Sequence, residues 1–345
     1  MNVLITGATG FLGSWVARAL SERGHRVVAL VRANSKLDNL ADLPLERRTG
    51  DVLDAASIAA ALDGCDAVMH VAGVAHFQAG ERERMYAVNI EGVRNVLATA
   101  QASGVKRVVV TSSLGALGGA KTPRVADDTT PSNAEALGID YLISKHRGEQ
   151  VALEFARAGL DVCVTRPAVL LGPGDIYNSS AHTFRAIASR KLPVYVPGGA
   201  SFTDVRDVAF SHVIALERGA RGETYLLAGH NLPIREMVER VARTAGVRPP
   251  RAMPYALALG VAAVAESTAK LLRRHTDLSR QLVKASALFT FASSDKAIRT
   301  LEYRIRPFEE SLRDTLRFFL ANGRLRATTP ELRALAGQGD NAPRA

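Results

Sequence analysis

Short apolar runs alternate with helix-periodic stretches through the first half of the chain. Residues 2–6 (NVLIT) form the first run, and Phe11, Ser14, Trp15, Ala17, Arg18 and Leu20 follow at helical spacing. Residues 25–31 (HRVVALV) predict a second buried strand and a short third precedes Gly50. Residues 66–70, 105–111 (VKRVVVT) and 160–165 predict three more. Between them lie a helix marked by Ser57, Ile58, Ala61 and Leu62 and a long one from about Glu83 to Ser103, with Val88, Gly92 and Val96 on one face and Asn89 beside it. Strands alternating with helices at this rhythm predict an α/β protein with a doubly wound parallel sheet.

Beyond Arg166-Pro167 the alternation breaks. Strand-like pieces at 194–196 and 224–227 mix with helical stretches near 180–189 and 234–245, which predicts a smaller C-terminal α/β lobe. The expected organisation is a sheet domain over 1–166, to which some later segments return, a lobe over 167–321 and a flexible tail over 322–345. Within the lobe, Leu257, Val261, Val264, Thr268, Leu271 and Leu272 recur at helical spacing, and Arg273, Arg274 and Arg280 follow. Two readings of 254–274 are open. It is either a helix buried against the lobe, or an apolar lid or interfacial helix with its arginines at headgroup level.

The 345 residues are 47% hydrophobic, enough for one large or two intimately joined domains. Cys65 and Cys163 are too few for a disulfide framework and read as small hydrophobes in strand-like runs. Neither a signal peptide nor an apolar run of about 18 residues is evident, so the expectation is a reduced cytoplasmic protein. Net charge is +10, but the basic residues are scattered without aromatic interleaving, which argues against nucleic acid.

Gly7, Gly10 and Gly13 mark the turn from first strand to first helix, and a phosphate-gripping turn asks for glycine at all three. Gly7 permits the turn, Gly10 leaves no Cβ between backbone and pyrophosphate, and Gly13 lets the helix lie close on the sheet. The helix N-terminus offers unpaired N–H groups and a positive dipole end. The second strand ends in Val31-Arg32, with Ser35 and Lys36 behind. A carboxylate there would bind the ribose 2′-hydroxyl of NAD(H), whereas a cation accommodates a 2′-phosphate. NADP(H) is therefore favoured, with NAD(H) the alternative. His70-Val71-Ala72-Gly73 ends the fourth strand in small residues, as suits a flat cofactor at its carboxyl end. His70 itself reads as a packed polar residue.

Thr111-Ser112-Ser113 ends the fifth strand, and Tyr141 and Lys145, four apart on a later helix, rise from one face. These stretches resemble the extended short-chain dehydrogenase/reductase superfamily, NAD-dependent epimerase/dehydratase-like. The resemblance covers most of the chain: residues 6–13 (TGATGFLG), Gly50-Asp51-Val52, residues 70–73, Asn89 with Gly92 and Asn95, residues 111–113, Tyr141 with Ser144 and Lys145, Arg166-Pro167, residues 172–175 (GPGD) and 204–208 (DVRDV). Residues 294–297 (SDKA), 301–303 (LEY) and 309–312 (EESL) are similar to the ending of dihydroflavonol-reductase-like and 3β-hydroxysteroid-dehydrogenase-like members. Hopanoid-associated epimerase-like proteins of bacteria are similar too.

The resemblance implies a Rossmann-type sheet with the smaller lobe over the nicotinamide end of the cofactor. It implies a cofactor site formed by Gly7, Thr9, Gly10, Phe11, Leu12, Gly13, Arg32, Lys36, Asp51, Val52, Val71, Ala72, Gly73, Thr111, Tyr141, Lys145 and Pro167, a catalytic set of Ser113, Tyr141 and Lys145, and no metal. The chemistry expected is reversible hydride transfer between nicotinamide and a carbonyl carbon. Tyr141 exchanges the proton with the substrate oxygen. Lys145 brings its ammonium near the phenolic oxygen, favouring the phenolate, and bonds the nicotinamide ribose. Ser113 holds the substrate oxygen, with Ser112 its rival.

Members acting on nucleotide sugars carry an Arg-Asp-aromatic run whose arginine holds the substrate pyrophosphate. Aligned on Asp207, this chain has Ala200-Ser201 there, and Arg206 is the candidate substitute. The favoured function is an NADP-dependent oxidoreductase interconverting a secondary alcohol and ketone on a small hydrophobic cyclic substrate, of sterol or triterpenoid 3-hydroxy/3-keto type, and a carboxylate on it would suit the positive charge. Alternatives are a sugar epimerase or dehydratase that retains its nicotinamide, a dihydroflavonol-type ketone reductase, and a cofactor-binding protein without catalysis. Substrate choice is expected in the lobe and in the loops after Gly73 and Ser113. The assembly expected is a monomer or homodimer, with 254–274 as its peripheral membrane contact if the interfacial reading is right.

Overall fold

A computed structural model of the chain describes residues 1–75, 81–176, 181–272, 276 and 278–337. Its main sheet runs, edge to edge, Thr224–Leu227, Val162–Pro167, Arg107–Thr111, Ala67–His70, Asn2–Thr6, Arg26–Val31 and Glu46–Thr49. Every neighbouring pair is parallel. Alternate residues of each strand serve opposite layers. Val3 and Ile5 pack with helices Phe11–Glu22 and Val205–Arg218, while Leu4 packs with the layer of Gly92–Ala102 and Asp140–Arg157. Burial on both faces is why the strands read as continuous apolar runs.

From Asn2–Thr6 the chain steps outward through Arg26–Val31 to Glu46–Thr49, then returns to the other side of Asn2–Thr6 as Ala67–His70. The carboxyl ends of those two central strands therefore flank a topological switch point, where open α/β sheets bind ligands.

A second sheet orders His230–Pro233, Gly199–Asp204, Phe289–Ala292 and Val125–Ala126, with Val169–Leu171 also paired to Gly199–Asp204. Residues 224–227, expected in the smaller lobe, instead form the edge of the main sheet, from Thr224 opposite Val164 to Leu227 opposite Pro167. A four-residue apolar pattern specifies a strand and not its neighbour.

The tail is also more ordered than expected from 322 onward. Leu325, Leu332 and Leu335 are buried in the core that includes Phe308 and Phe319. Thr329 Oγ1 accepts from Leu332 N at 3.2 Å, and Pro330 opens helix Pro330–Gly337. Residues 338–345 lie outside the described residues, as do Arg273, Arg274 and part of the loop after Gly73. Helix Tyr255–Leu271 buries only Ala258 and Ala262, so the reading of 254–274 as a buried helix fails for its outer face. Among the described residues no helix is long and apolar enough to cross a membrane.

Candidate active site

The glycine turn is built as phosphate binding requires. Gly7 has φ +74°, and a Cβ there would lie 2.6 Å from the Ala72 backbone nitrogen, so the two central strands close on each other only through glycine. A Cβ on Gly13 would sit 2.0 Å from the Gly7 carbonyl oxygen, which fixes how tightly helix Phe11–Glu22 lies on the turn. At Gly10 the space is open apart from Gly7 O at 3.2 Å. Gly10 caps the helix with no side-chain acceptor, so no side chain of the cap occupies the first-turn N–H groups. This open cradle fits a dinucleotide pyrophosphate. Phe11 and Leu12 are buried behind it, and Thr9 is half-buried.

Further along the same ends lie the other sequence-predicted cofactor residues. Arg32 and Lys36 are exposed beyond strand Arg26–Val31. After Glu46–Thr49, Asp51 Oδ1 accepts from Leu53 N at 3.0 Å and Val52 packs into the core. Val71 and Ala72 are half-buried, Gly73 is exposed, and Pro167 is buried at the end of its strand.

The catalytic candidates come together from two elements. Ser113 follows strand Arg107–Thr111, and Tyr141 lies in the first turn of helix Asp140–Arg157. The Ser113 hydroxyl stands near the Tyr141 ring and draws the phenol's pKa down. Gly115 lets the two meet, since a Cβ there would lie 3.3 Å from Ser113 Oγ and 3.4 Å from the Tyr141 ring. The rival Ser112 has a buried Oγ with no hydrogen-bond partner. Burial pushes the phenol above its ordinary value, opposed by the Ser113 hydroxyl.

Lys145 rises from the same helix face, and its Nζ donates to Thr111 O at 3.0 Å. Burial brings its ammonium down to about 8, opposed by the Glu149 carboxylate. One of the three ammonium donors is thus held by the terminal carbonyl of strand Arg107–Thr111. A Cβ on Gly73 would lie 3.4 Å from Lys145 Nζ, so the lysine stands beside the switch-point crevice.

Three supporting groups escaped the sequence-based site. Asn89 carried part of the resemblance but was not placed in the site, yet its Nδ2 donates to Ser144 Oγ at 3.0 Å and to Val74 O at 2.9 Å, and its Oδ1 accepts from Val74 N at 2.8 Å. Ser144 Oγ donates on to Tyr141 O at 2.8 Å. Asn89 therefore ties Val74 to helix Asp140–Arg157. It sits in a π-helical turn, Ala87–Glu91, whose carbonyl at Asn89 comes so close to the catalytic helix that a Cβ on Gly148 would be 2.0 Å away.

The second group is His212. Its Nδ1 donates to Val208 O at 2.8 Å, leaving Nε2 to accept from the Thr165 and Thr111 hydroxyls at 2.8 and 3.1 Å. The third is the buried Glu149–Arg166 pair. The helical spacing of Lys145 and Glu149 was legible, and the strand partner of Glu149 was not. His70 is packed as expected, with Nδ1 2.8 Å from Thr6 Oγ1, and burial together with the Lys145 charge holds it down to about 3.

A cavity of about 300 Å³ begins one residue beyond Ser113, lined by Leu114, Leu117, Gly118, Phe289 and Phe291, with Arg124 at its wall. Arg206 is engaged elsewhere: its guanidinium bonds Asp204 at 2.8 and 2.7 Å and Asp314 at 2.7 Å.

Comparison with known proteins agrees with this geometry. Residues 3–228 match the NAD dependent epimerase/dehydratase family. The chain is 34% identical over 325 residues to a protein assigned as a dihydroflavonol 4-reductase in Synechocystis sp., covering 92% of this chain and 94% of the relative. It is 36% identical over 264 residues to sterol demethylase protein B of Methylococcus capsulatus, covering 76% and 80%. The crystal structure of gox2253 superposes with a TM-score of 0.83 at 37% identity, covering 94% of this chain and 99% of the other. The cradle, the tyrosine–lysine helix and these matches together place the chain in the NAD-dependent epimerase/dehydratase family, among the extended short-chain dehydrogenase/reductases, as an NAD(P)-dependent enzyme.

Proposed function

We propose that this chain is an NADP(H)-dependent oxidoreductase that interconverts a secondary alcohol and a ketone on a hydrophobic cyclic substrate of sterol or triterpenoid type. The observation that carries the reading is the closeness of Ser113 to Tyr141 across Gly115, with Lys145 on the same helix face, at the strand ends that also form the glycine cradle. A nicotinamide bound along that crevice supplies the hydride. Gly7, Gly10 and Gly13 hold the pyrophosphate, and Arg32 with Lys36 gives the adenosine end a cationic surround that suits a 2′-phosphate.

Tyr141 Oη moves the proton: it donates to the oxygen of the reduced carbonyl and takes that proton back in oxidation. Ser113 Oγ, close to the Tyr141 ring, orients the substrate oxygen between the two hydroxyls. Lys145 binds the ribose hydroxyls and carries its charge to the site.

An apolar substrate is supported by the Leu- and Phe-lined cavity next to Ser113 and by the similarity to a sterol demethylase protein. Arg124 on that wall suits a carboxylate. The nucleotide-sugar alternative is disfavoured, since Ala200 stands at the arginine position and Arg206 is committed to two aspartates.

The test is fluorescence titration with NADPH and NADH, followed by turnover of a panel of steroid and flavonoid ketones by the parent and Tyr141→Phe. NADPH should bind more tightly, the variant should bind it as the parent does, and its turnover should fall by about 10²-fold or more. Full activity in Tyr141→Phe overturns the assignment, and tighter binding of NADH overturns the cofactor preference.

A further inference from the structure

Seven of the twelve large apolar side chains exposed on the described surface fall between Tyr255 and Leu278. That concentration is a patch and not scatter. On helix Tyr255–Leu271 and the residue after it, Leu257, Val261, Val264, Leu271 and Leu272 point outward, with Val264 67% and Leu271 82% exposed. The opposite stripe, Ala258 and Ala262, packs on Val283 and Met253, so the helix is anchored along one side only. Seventeen residues span about 25 Å, short of a bilayer core of about 30 Å. A helix of this form lies on a surface and does not cross it.

Charge decides what covers the face. Glu266 is the sole acidic residue from 254 to 272, and it is paired with Arg280, whose backbone N and Nε donate to it at 2.8 and 2.6 Å. Arg251, Lys270 and Lys284 are exposed around the helix. Two copies apposed through this face would bring those cations together, whereas an anionic bilayer complements them.

We propose that the outer face of helix Tyr255–Leu271 docks on an anionic lipid bilayer, lying in the plane of the interface. Docking would seat the catalytic helix at the membrane. The neighbouring helix Arg280–Ser286 meets the start of the catalytic helix, where Gln281 Oε1 accepts from Asp140 N at 3.2 Å and Ala285 packs in the cluster of Leu142 and Tyr141. Delivery of an apolar ketone from the bilayer to Tyr141 rests on the oxidoreductase reading, while the docking itself does not.

The test is flotation of the full chain with phosphatidylcholine vesicles, with and without phosphatidylglycerol, at low and high salt. The parent should float with the anionic vesicles, more weakly with the neutral ones and more weakly at high salt. Leu257→Glu/Val264→Glu, both on the exposed face, should lower the bound fraction about tenfold. Lys270→Glu should reduce the anionic preference, and Ile298→Glu, an exposed apolar position on another helix, should float as the parent does. Thermal melts and turnover of a water-soluble ketone establish that each variant is folded.

A parent that does not float, or one whose flotation the double variant leaves intact, overturns the proposal. So does a dimer in sedimentation velocity that the double variant dissociates without any vesicle binding, which assigns the face to self-association. Ketone turnover without flotation defeats the docking alone, whereas flotation without turnover of any ketone supports the docking and defeats the oxidoreductase reading.

Discussion

Glu149→Gln probes one buried pair that supports both the fold and Lys145. Arg166 Nε and Nη2 donate to the two Glu149 carboxylate oxygens at 2.9 and 2.6 Å, and the two side chains are only 8% and 1% exposed. Arg166 Nη1 is already buried without a hydrogen-bond partner. Removing one partner of such a pair costs about 3–5 kcal/mol because the other charge stays buried. The glutamine oxygen keeps one of the two acceptors, which puts the expectation near about 3 kcal/mol. With an unfolding entropy of about 2.1 cal/mol/K per residue, Tm should fall by about 4 °C for this chain length.

The second effect is on charge. Glu149 stands one turn beyond Lys145 and raises its pKa against the burial that brings it to about 8. The amide withdraws that support, so the ammonium loses its proton at lower pH. The kcat/KM of ketone reduction reports the free enzyme. In the parent it should decline above about pH 8, and in the variant the decline should begin earlier. Calorimetry at neutral pH and a pH series of kcat/KM read the two effects separately. Glu149→Gln/Arg166→Met, which removes both charges, should recover most of the lost Tm and keep the alkaline shift. An unchanged Tm with an unchanged alkaline limb refutes the reasoning.

Two other perturbations follow from buried contacts. Burial holds His70 down to about 3, helped by the Lys145 charge, and His212 down to about 4. Unfolded, both titrate near 6.5, so the unfolded chain binds more protons and stability falls as pH drops from about 6.5 towards 4, at up to about 2.7 kcal/mol per pH unit. Thermal melts across that window should show this slope, with His212→Gln flattening it; a variant with the parent's acid slope removes His212 from the account. Gly148→Ala places a Cβ 2.0 Å from Asn89 O, an overpacking that should cost about 1–3 kcal/mol. It should also lower kcat by shifting the Asn89–Ser144–Tyr141 chain, and parental Tm and kcat together would contradict the close approach.

What the sequence displayed and what it hid divide along a physical line. The strands of the main sheet were legible because burial on both faces forces unbroken apolar runs. The glycine turn was legible because a close backbone approach admits one residue type. Tyr141 and Lys145 could be paired because four residues on a helix is a local distance. Thr224–Leu227 looked like lobe because its pattern carries no record of Val162–Pro167, its neighbour in space. His212 and the Glu149–Arg166 pair were invisible for the same reason, each joining residues far apart in sequence. Residues 329–335 could have been read: Thr329-Pro330 with Leu332 and Leu335 is a capped helix with one apolar edge, and the surrounding polar composition masked it.

Helix Tyr255–Leu271 is the instructive case, because its apolar pattern was plain and its burial was not. A pattern records that a side chain avoids water somewhere. Here the protein interior takes only Ala258 and Ala262, so the same apolar pattern that buries one stripe leaves Leu257, Val261, Val264 and Leu271 exposed on the outer face.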